Sequence, residues 1–184
     1  MKEVIGAQYN KIQLIENAEY ENCTFNQCDF STQDLSGYHF IKCVFQGCNL
    51  SNVKSVKTIF QDIQFIDAKL IGVRFEDCNP FSLSFSFMGC QMNHASFFNA
   101  KIPKAVFKNC SLQNVDFSGT DLSGAIFDNC DLTGSVFDQS NLEKTDFRTA
   151  WGYSIDPDSN RLKNAKFSNT GLSGLLLKYK LHIE

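Results

Sequence analysis

The sequence predicts an all-β solenoid of stacked coils, and three observations carry that expectation. Eight cysteines, Cys23, Cys28, Cys43, Cys48, Cys78, Cys90, Cys110 and Cys130, each stand two residues before the centre of a five-residue repeat. The centres keep a fixed step of five from Ile15 to Phe85 and, after two extra residues expected within 86–89, from Met92 to Phe147, with Ser55 and Pro80 the only ones that are not apolar. Eighteen Phe against one Trp and five Tyr is the composition of a template that asks repeatedly for one shape. A repeat of this regularity outranks local propensity.

A step of five fits neither the alternation of a strand nor the 3.6-residue turn of a helix. Each unit instead supplies one side of a coil. It reads small residue, polar residue, Leu or Phe, then two mostly polar residues, as in Cys28-Asp29-Phe30-Ser31-Thr32. The centre and the small residue two before it point inward, because two large side chains per edge would overfill a narrow interior. Coils stacked by backbone hydrogen bonds bury a continuous ladder of Phe and Leu, each coil touching only its neighbours. The unbroken period over most of 184 residues argues for one domain.

Units such as Ser140-Asn141-Leu142-Glu143-Lys144 and Thr120-Asp121-Leu122-Ser123-Gly124 match a consensus of Ala-Asp/Asn-Leu-x-x. On those residues the chain, from Ile15 to Phe147, resembles the pentapeptide-repeat proteins. The resemblance implies a right-handed quadrilateral parallel β-helix, four units per coil. Residues 1–14 carry no clear repeat and are expected to cap the first coil, residues 15–150 to form the β-helix, and residues 151–184 to form a loop, a final partial coil and a short C-terminal α-helix.

Within that last segment the pattern lapses from Trp151 to Asn160, where Asp-Pro and Asp-Ser-Asn signal a turn, and its phase returns at Leu162, Phe167 and Leu172. A helix is expected from about Leu172 to Tyr179. The stretch from Ile155 through Arg161 into the Leu-rich tail resembles the carboxy-terminal module of the Qnr quinolone-resistance proteins and of the microcin-immunity member of the same family. It implies a homodimer joined through Leu172, Leu175, Leu176, Leu177, Tyr179, Leu181 and Ile183, an end-cap being the other reading.

The chemistry that the sequence argues against is as informative. His39, His94 and His182 have no partner at triad or ligand spacing, there is no glycine-rich phosphate loop, and an interior filled by Phe and Leu leaves no pocket. No catalytic residue, cofactor or metal site is expected, and the protein reads as a non-enzyme. Cysteines twenty residues apart are close enough for bridges but read better as small apolar fillers with free thiols. No secretory signal and no apolar run of membrane-spanning length are found, so the expectation is a cytoplasmic protein. A net charge of −3 without a basic stripe argues against nucleic acid as a ligand, and the chain lacks a basic amphipathic helix for membranes.

Function is then sought on the outer faces. Between Gln13 and Thr149, sixteen acidic residues meet ten basic ones, roughly one net charge per 5–6 Å of rod, whereas duplex DNA carries one per ~1.7 Å. Locally the density rises. No basic residue falls between Lys108 and Lys144, where Asp116, Asp121, Asp128, Asp131, Asp138 and Glu143 lie, about one charge per 1.4 Å. The side centred on Leu35, Phe75, Phe117 and Phe137 adds Glu16, Asp34, Glu76 and Asp77. Resemblance to the Qnr and MfpA proteins implies a DNA-mimicking acidic rod that binds a type II topoisomerase, DNA gyrase or topoisomerase IV, through these residues and protects it from quinolones or toxins. Alternatives are a general protein-interaction scaffold or a toxin-immunity protein. Qnr relatives project longer loops than the two-residue bulge expected here, which makes the short-looped MfpA type the nearer comparison.

Overall fold

A computed structural model describes residues 1–81 and 83–182. Its strands are short and pair in parallel with strands one coil away. A four-stranded sheet joins β1 (Lys2–Ile5), β3 (Ala18–Glu21), β5 (His39–Ile41) and β7 (Ile59–Gln61). A seven-stranded sheet runs through β2 (Gln8–Asn10), β4 (Thr24–Asn26), β6 (Val44–Gln46), β8 (Ile63–Ile66), β9 (Phe85–Met88), β10 (Val106–Lys108) and β11 (Ile126–Asp128). The other two faces are held by isolated bridges such as Asp29 to Asn49 and Asp34 to Lys54. Partners are twenty residues apart, as in Phe25 to Phe45 and Phe107 to Phe127, so four five-residue units close one coil. The chain is the right-handed quadrilateral β-helix that the family resemblance implied.

The step of five has a local cause. The second residue after each centre takes a positive φ at nearly every corner, as at Asn52, Asn99 and Asn114. At many corners the amide three residues after the centre also donates to the centre's carbonyl, as from Val53 to Leu50 and from Ala100 to Phe97. That combination is a type II turn, which favours Gly or Asn at its third residue. Both residue types recur there.

The four faces are named by their centres: Tyr20, Phe40 and Phe60 on the first, Phe25 and Phe45 on the second, Leu50 and Leu70 on the third, Leu35 and Ser55 on the fourth. Aromatic rings fill two columns of the core. On the second face Tyr9, Phe25, Phe45, Phe65, Phe87, Phe107, Phe127, Phe147 and Phe167 stack without interruption at centroid spacings of 4.8–5.3 Å. A second column begins on the first face with Tyr20, Phe40 and Phe60 and continues on the fourth with Phe75, Phe97, Phe117 and Phe137. The two columns meet edge to face, as Phe107 meets Phe117 at 6.1 Å, the arrangement that ring quadrupoles prefer. Ser55 now has a reason: it occupies the fourth face while the second aromatic column still runs on the first.

The small slot has chemistry of its own. Its hydroxyl or thiol donates to a carbonyl in the coil below, from Thr120 to Phe97 at 2.7 Å, from Thr145 to Leu122 at 2.8 Å and from Cys43 to Tyr20 at 3.2 Å. A Cys, Ser or Thr thereby buries a polar atom with its bond satisfied. All eight thiols are buried and unbridged, and burial pushes those of Cys43 and Cys78 up to about 12.

Two boundaries differ from the sequence reading. The extra residues were expected within 86–89, but Asn79 still bonds to Thr58 as the twenty-residue register requires, while Ile63 already pairs with Phe85 and Phe65 with Phe87. The insertion therefore lies between Asn79 and Phe85. Phe85 is not a centre but fills the usually small slot, packed on Phe65, Phe75 and Phe87, and the centre is Phe87. Leu83 turns inward from the bulge, while Phe81 stands almost wholly in solvent. At the other boundary, residues 1–14 cover the end of the stack as an abbreviated coil, since Val4 pairs with Tyr20 and Tyr9 with Phe25, a register of sixteen.

At the C-terminal end the repeat persists on three faces, where Asp131 bridges to Trp151, Asn141 to Arg161 and Asp146 to Lys166. On the fourth face Phe137 is covered by a side chain instead: Asn160 donates to the carbonyls of Phe137 (2.8 Å) and Asp156 (2.9 Å) and accepts from the Ser140 amide (2.9 Å). The expected short helix from Leu172 to Tyr179 is present as α1 (Ser173–Leu176) running directly into a 3-10 turn at Leu177–Tyr179, with another 3-10 turn before it at Asn169–Gly171. Gly174 seats the tail, because a Cβ there would come within 2.5 Å of the Tyr153 carbonyl oxygen.

Lys178 ties the tail down through Asp156 (2.5 Å) and Asp158. Its ammonium holds the Asp156 carboxyl below the ordinary carboxylate range. A depressed acid contributes stability that is present above its unfolded pKa and lost as pH falls through the folded one. Docking of the tail is therefore expected to be constant through neutral pH and to loosen below about pH 4. Protection of residues 172–182 from a protease active in acid, followed down the pH scale, reads this directly; protection unchanged to pH 2 counts against it.

Candidate partner-binding surface

Every acidic residue singled out from the sequence lies on the outer surface, carried there by its position one before or one to two after an inward centre. Local bonding fixes several of them. Asp116 accepts the Ser118 amide at 2.8 Å, Asp121 the Ser123 amide at 3.0 Å, and Asp131 the Thr133 amide at 3.0 Å and the Gln113 side chain at 2.6 Å. Partial burial opposes ionisation of Asp131, but the bonds from Thr133 and Gln113 outweigh it and hold its carboxyl below the usual value. Such local bonds from turn amides fix the orientation of these carboxylates on the coil.

The ten residues divide by what neutralises them. Glu16 pairs with Lys2, Asp34 with Lys54, both Glu76 and Asp77 with Arg74, Asp128 with Lys108 at 3.7 Å and Glu143 with Arg161 at 2.7 Å. Among the described residues no ion pair reaches Asp116, Asp121, Asp131 or Asp138. Much of the charge counted along the chain is thus compensated from the neighbouring coil. Those pairs are exposed and each contributes little to stability, but they cancel field at the surface.

Position around the rod matters as much as position along it. Asp116 and Asp138 lie on the fourth face, Asp121 and Glu143 on the first, Asp128 on the second and Asp131 on the third. The DNA-like charge density holds only when summed around the circumference. Nor is the fourth face acidic from end to end, since its outward ladder reads Asp34, Lys54, Arg74, Ser96, Asp116 and Val136.

At the C-terminal end Leu172, Leu177, Tyr179 and Leu181 are each about half exposed, while Leu175 and Leu176 are partly buried. Ile183 lies outside the described residues. Sequence reasoning missed the exposed Phe81 and Phe98 and the role of Asn160. It also missed the basic residues that ring this end, Arg148, Arg161, Lys163 and Lys166, though they are plain in the sequence once faces are assigned.

Among the described residues no group of His, Cys, Asp or Glu is placed to hold a metal ion, and no helix is long and apolar enough to cross a membrane. Among the described residues the hollows beside Trp151, beside Arg148 and beside His94 are open to solvent.

A β-helix of five-residue units with solvent-facing polar ladders defines a class of repeat protein built to present surfaces. Consistent with it, the family model described as a pentapeptide repeat region matches residues 18–86 and 58–137, and the chain belongs to that family. Among solved structures, a trypsin-treated variant of QnrB1, a plasmid-mediated fluoroquinolone resistance protein, is 22% identical with a TM-score of 0.52 over 100% of this chain and 98% of its own. HetL, a pentapeptide repeat protein involved in heterocyst differentiation regulation from the cyanobacterium Nostoc, is 16% identical with a TM-score of 0.63 over 91% of this chain and 83% of its own. Identities this low establish the shared fold alone. No curated protein matches the chain in sequence.

Proposed function

We propose that this protein is a non-enzymatic, DNA-mimicking rod that binds a type II topoisomerase, DNA gyrase or topoisomerase IV, in the cytoplasm, and modulates it or protects it from quinolones or toxins. The observation that carries the reading is the set of carboxylates without counter-ions among the described residues, Asp116, Asp121, Asp131 and Asp138, the first three held by turn amides of the stacked coils. A duplex-binding saddle is lined by cations set to meet phosphates, and a preorganised anionic rod competes for it by charge complementarity and steering. The half-exposed Leu172, Leu177, Tyr179 and Leu181 at one end support a homodimer through the tail, since an apolar end that meets its own copy closes a two-fold interface.

The test is a supercoiling assay with purified gyrase, with and without a quinolone. The expected result is inhibition of supercoiling at high protein and relief of quinolone-stabilised cleavage at lower protein; no effect on either removes the reading. A general protein-interaction scaffold is the second reading, favoured by exposed Phe81 and Phe98, which a pure phosphate mimic does not need. Partner capture that returns a protein without a duplex-binding channel would favour it.

A further inference from the structure

Charge on the C-terminal half of the rod is segregated across its width. From Gln91 to Gln139 the outward positions of the third and fourth faces carry Asp116, Asp131 and Asp138 and not one Lys or Arg. The first and second faces of the same region and the coil above it carry Lys101, Lys104, Lys108, Lys144, Arg161 and Lys163. Arg148 and Lys166 lie there too, paired with Asp146, as Lys108 is with Asp128 and Arg161 with Glu143. One side of the rod is anionic without compensation. On the opposite side Asp121 alone, among the described residues, lacks an ion pair, and eight Lys and Arg outnumber the four carboxylates.

The anionic side also offers apolar contacts. The two outward ladders of the fourth face read Ser96, Asp116, Val136 and, one residue past each centre, Phe98, Ser118, Asp138. Phe98 and Val136 are 48% and 50% exposed, large for side chains on a regular coil. Phe98 and Asp116 border an open hollow of about 420 Å³, with His94, Asn114 and the ion-paired Arg74 and Glu76 along its rim. An apolar ring beside a carboxylate suits the stem and head of a long cationic side chain. Cylindrical DNA presents its phosphates all round; this rod does not.

We propose that the third and fourth faces between Ser96 and Asp138 are the docking side for a cationic protein surface, with Phe98 and Val136 as apolar contacts, and that the first and second faces turn away from it. The partner's identity rests on the topoisomerase reading; the sidedness does not. Two isosteric triple variants test it. One is Asp116→Asn with Asp131→Asn and Asp138→Asn. The other removes carboxylates that are already paired with cations on the first and second faces: Asp128→Asn with Glu143→Gln and Asp146→Asn. An asparagine Oδ1 still accepts the turn amides, so both sets keep the fold, which circular dichroism verifies.

Binding is measured to gyrase and, separately, to poly-arginine as a cationic polypeptide probe. The first set is expected to weaken both at least tenfold and the second less than about twofold, and Phe98→Ser alone to weaken gyrase binding while leaving poly-arginine binding nearly unchanged. Equal losses in the two sets, or a larger loss in the second, overturn the docking side. If wild-type protein ignores gyrase while the poly-arginine asymmetry stands, the topoisomerase reading fails and the docking side survives.

Discussion

Phe107→Ala is expected to destabilise the protein by about 3–5 kcal/mol, the cost of removing a fully buried aromatic from a core that cannot collapse around the gap. Phe107 is stacked between Phe87 at 5.0 Å and Phe127 at 4.8 Å, and it meets Phe97 and Phe117 edge to face. Four aromatic neighbours lose a partner at once. The backbone cannot move in to compensate, because its position is set by parallel ladders to Phe87 and Phe127. In a stack where each coil contacts only its neighbours, the damage also separates the two halves. Thermal unfolding monitored by circular dichroism should therefore show a lower and broader transition. A midpoint within two degrees of wild type would mean that the columns are not the source of stability.

Asn160→Leu is expected to cost about 2–5 kcal/mol and to free the tail. The Asn160 amide closes the fourth face where the chain leaves it, and its replacement strands the Ser140 amide and the Phe137 carbonyl inside the protein. Each unsatisfied buried group costs roughly 1–3 kcal/mol. Leucine is close in volume, so the loss reports the bonds rather than a cavity. Urea denaturation combined with hydrogen exchange at Ser140 measures both consequences. Unchanged protection at Ser140 would show that another group takes over the role.

The repeat was legible because one corner conformation is imposed at almost every fifth residue, leaving the same pattern of small, polar and large side chains each time. Even Ser55, an exception in the sequence, follows from the shift of an aromatic column from the first face to the fourth. The bulge was misplaced for an equally physical reason. Phe85 and Phe87 both satisfy an apolar centre, and only pairing to the coil below tells them apart. The abbreviated first coil was hidden because its inward Val4 and Tyr9 lie in a sixteen-residue register.

For the acidic surface, sequence order showed which residues were charged but not which were cancelled. Ion pairs such as Lys54 with Asp34 join residues twenty apart, so the period that revealed the fold also contained the compensation. The short helix expected from about Leu172 to Tyr179 is present, but its seat requires Gly174 against Tyr153. Nothing in the helical pattern of Leu residues anticipates that contact.

Binding through uncompensated carboxylates is the claim on which the functional account rests, and its most direct measurement is the affinity for gyrase as a function of salt. Exposed charges attract across a screening length of about 10 Å at 0.1 M and only about 3 Å at 1 M. The account predicts a dissociation constant that rises at least tenfold between about 50 and 200 mM salt, driven mainly by slower association. An affinity that stays level across that range would contradict it and leave apolar contact as the basis of recognition.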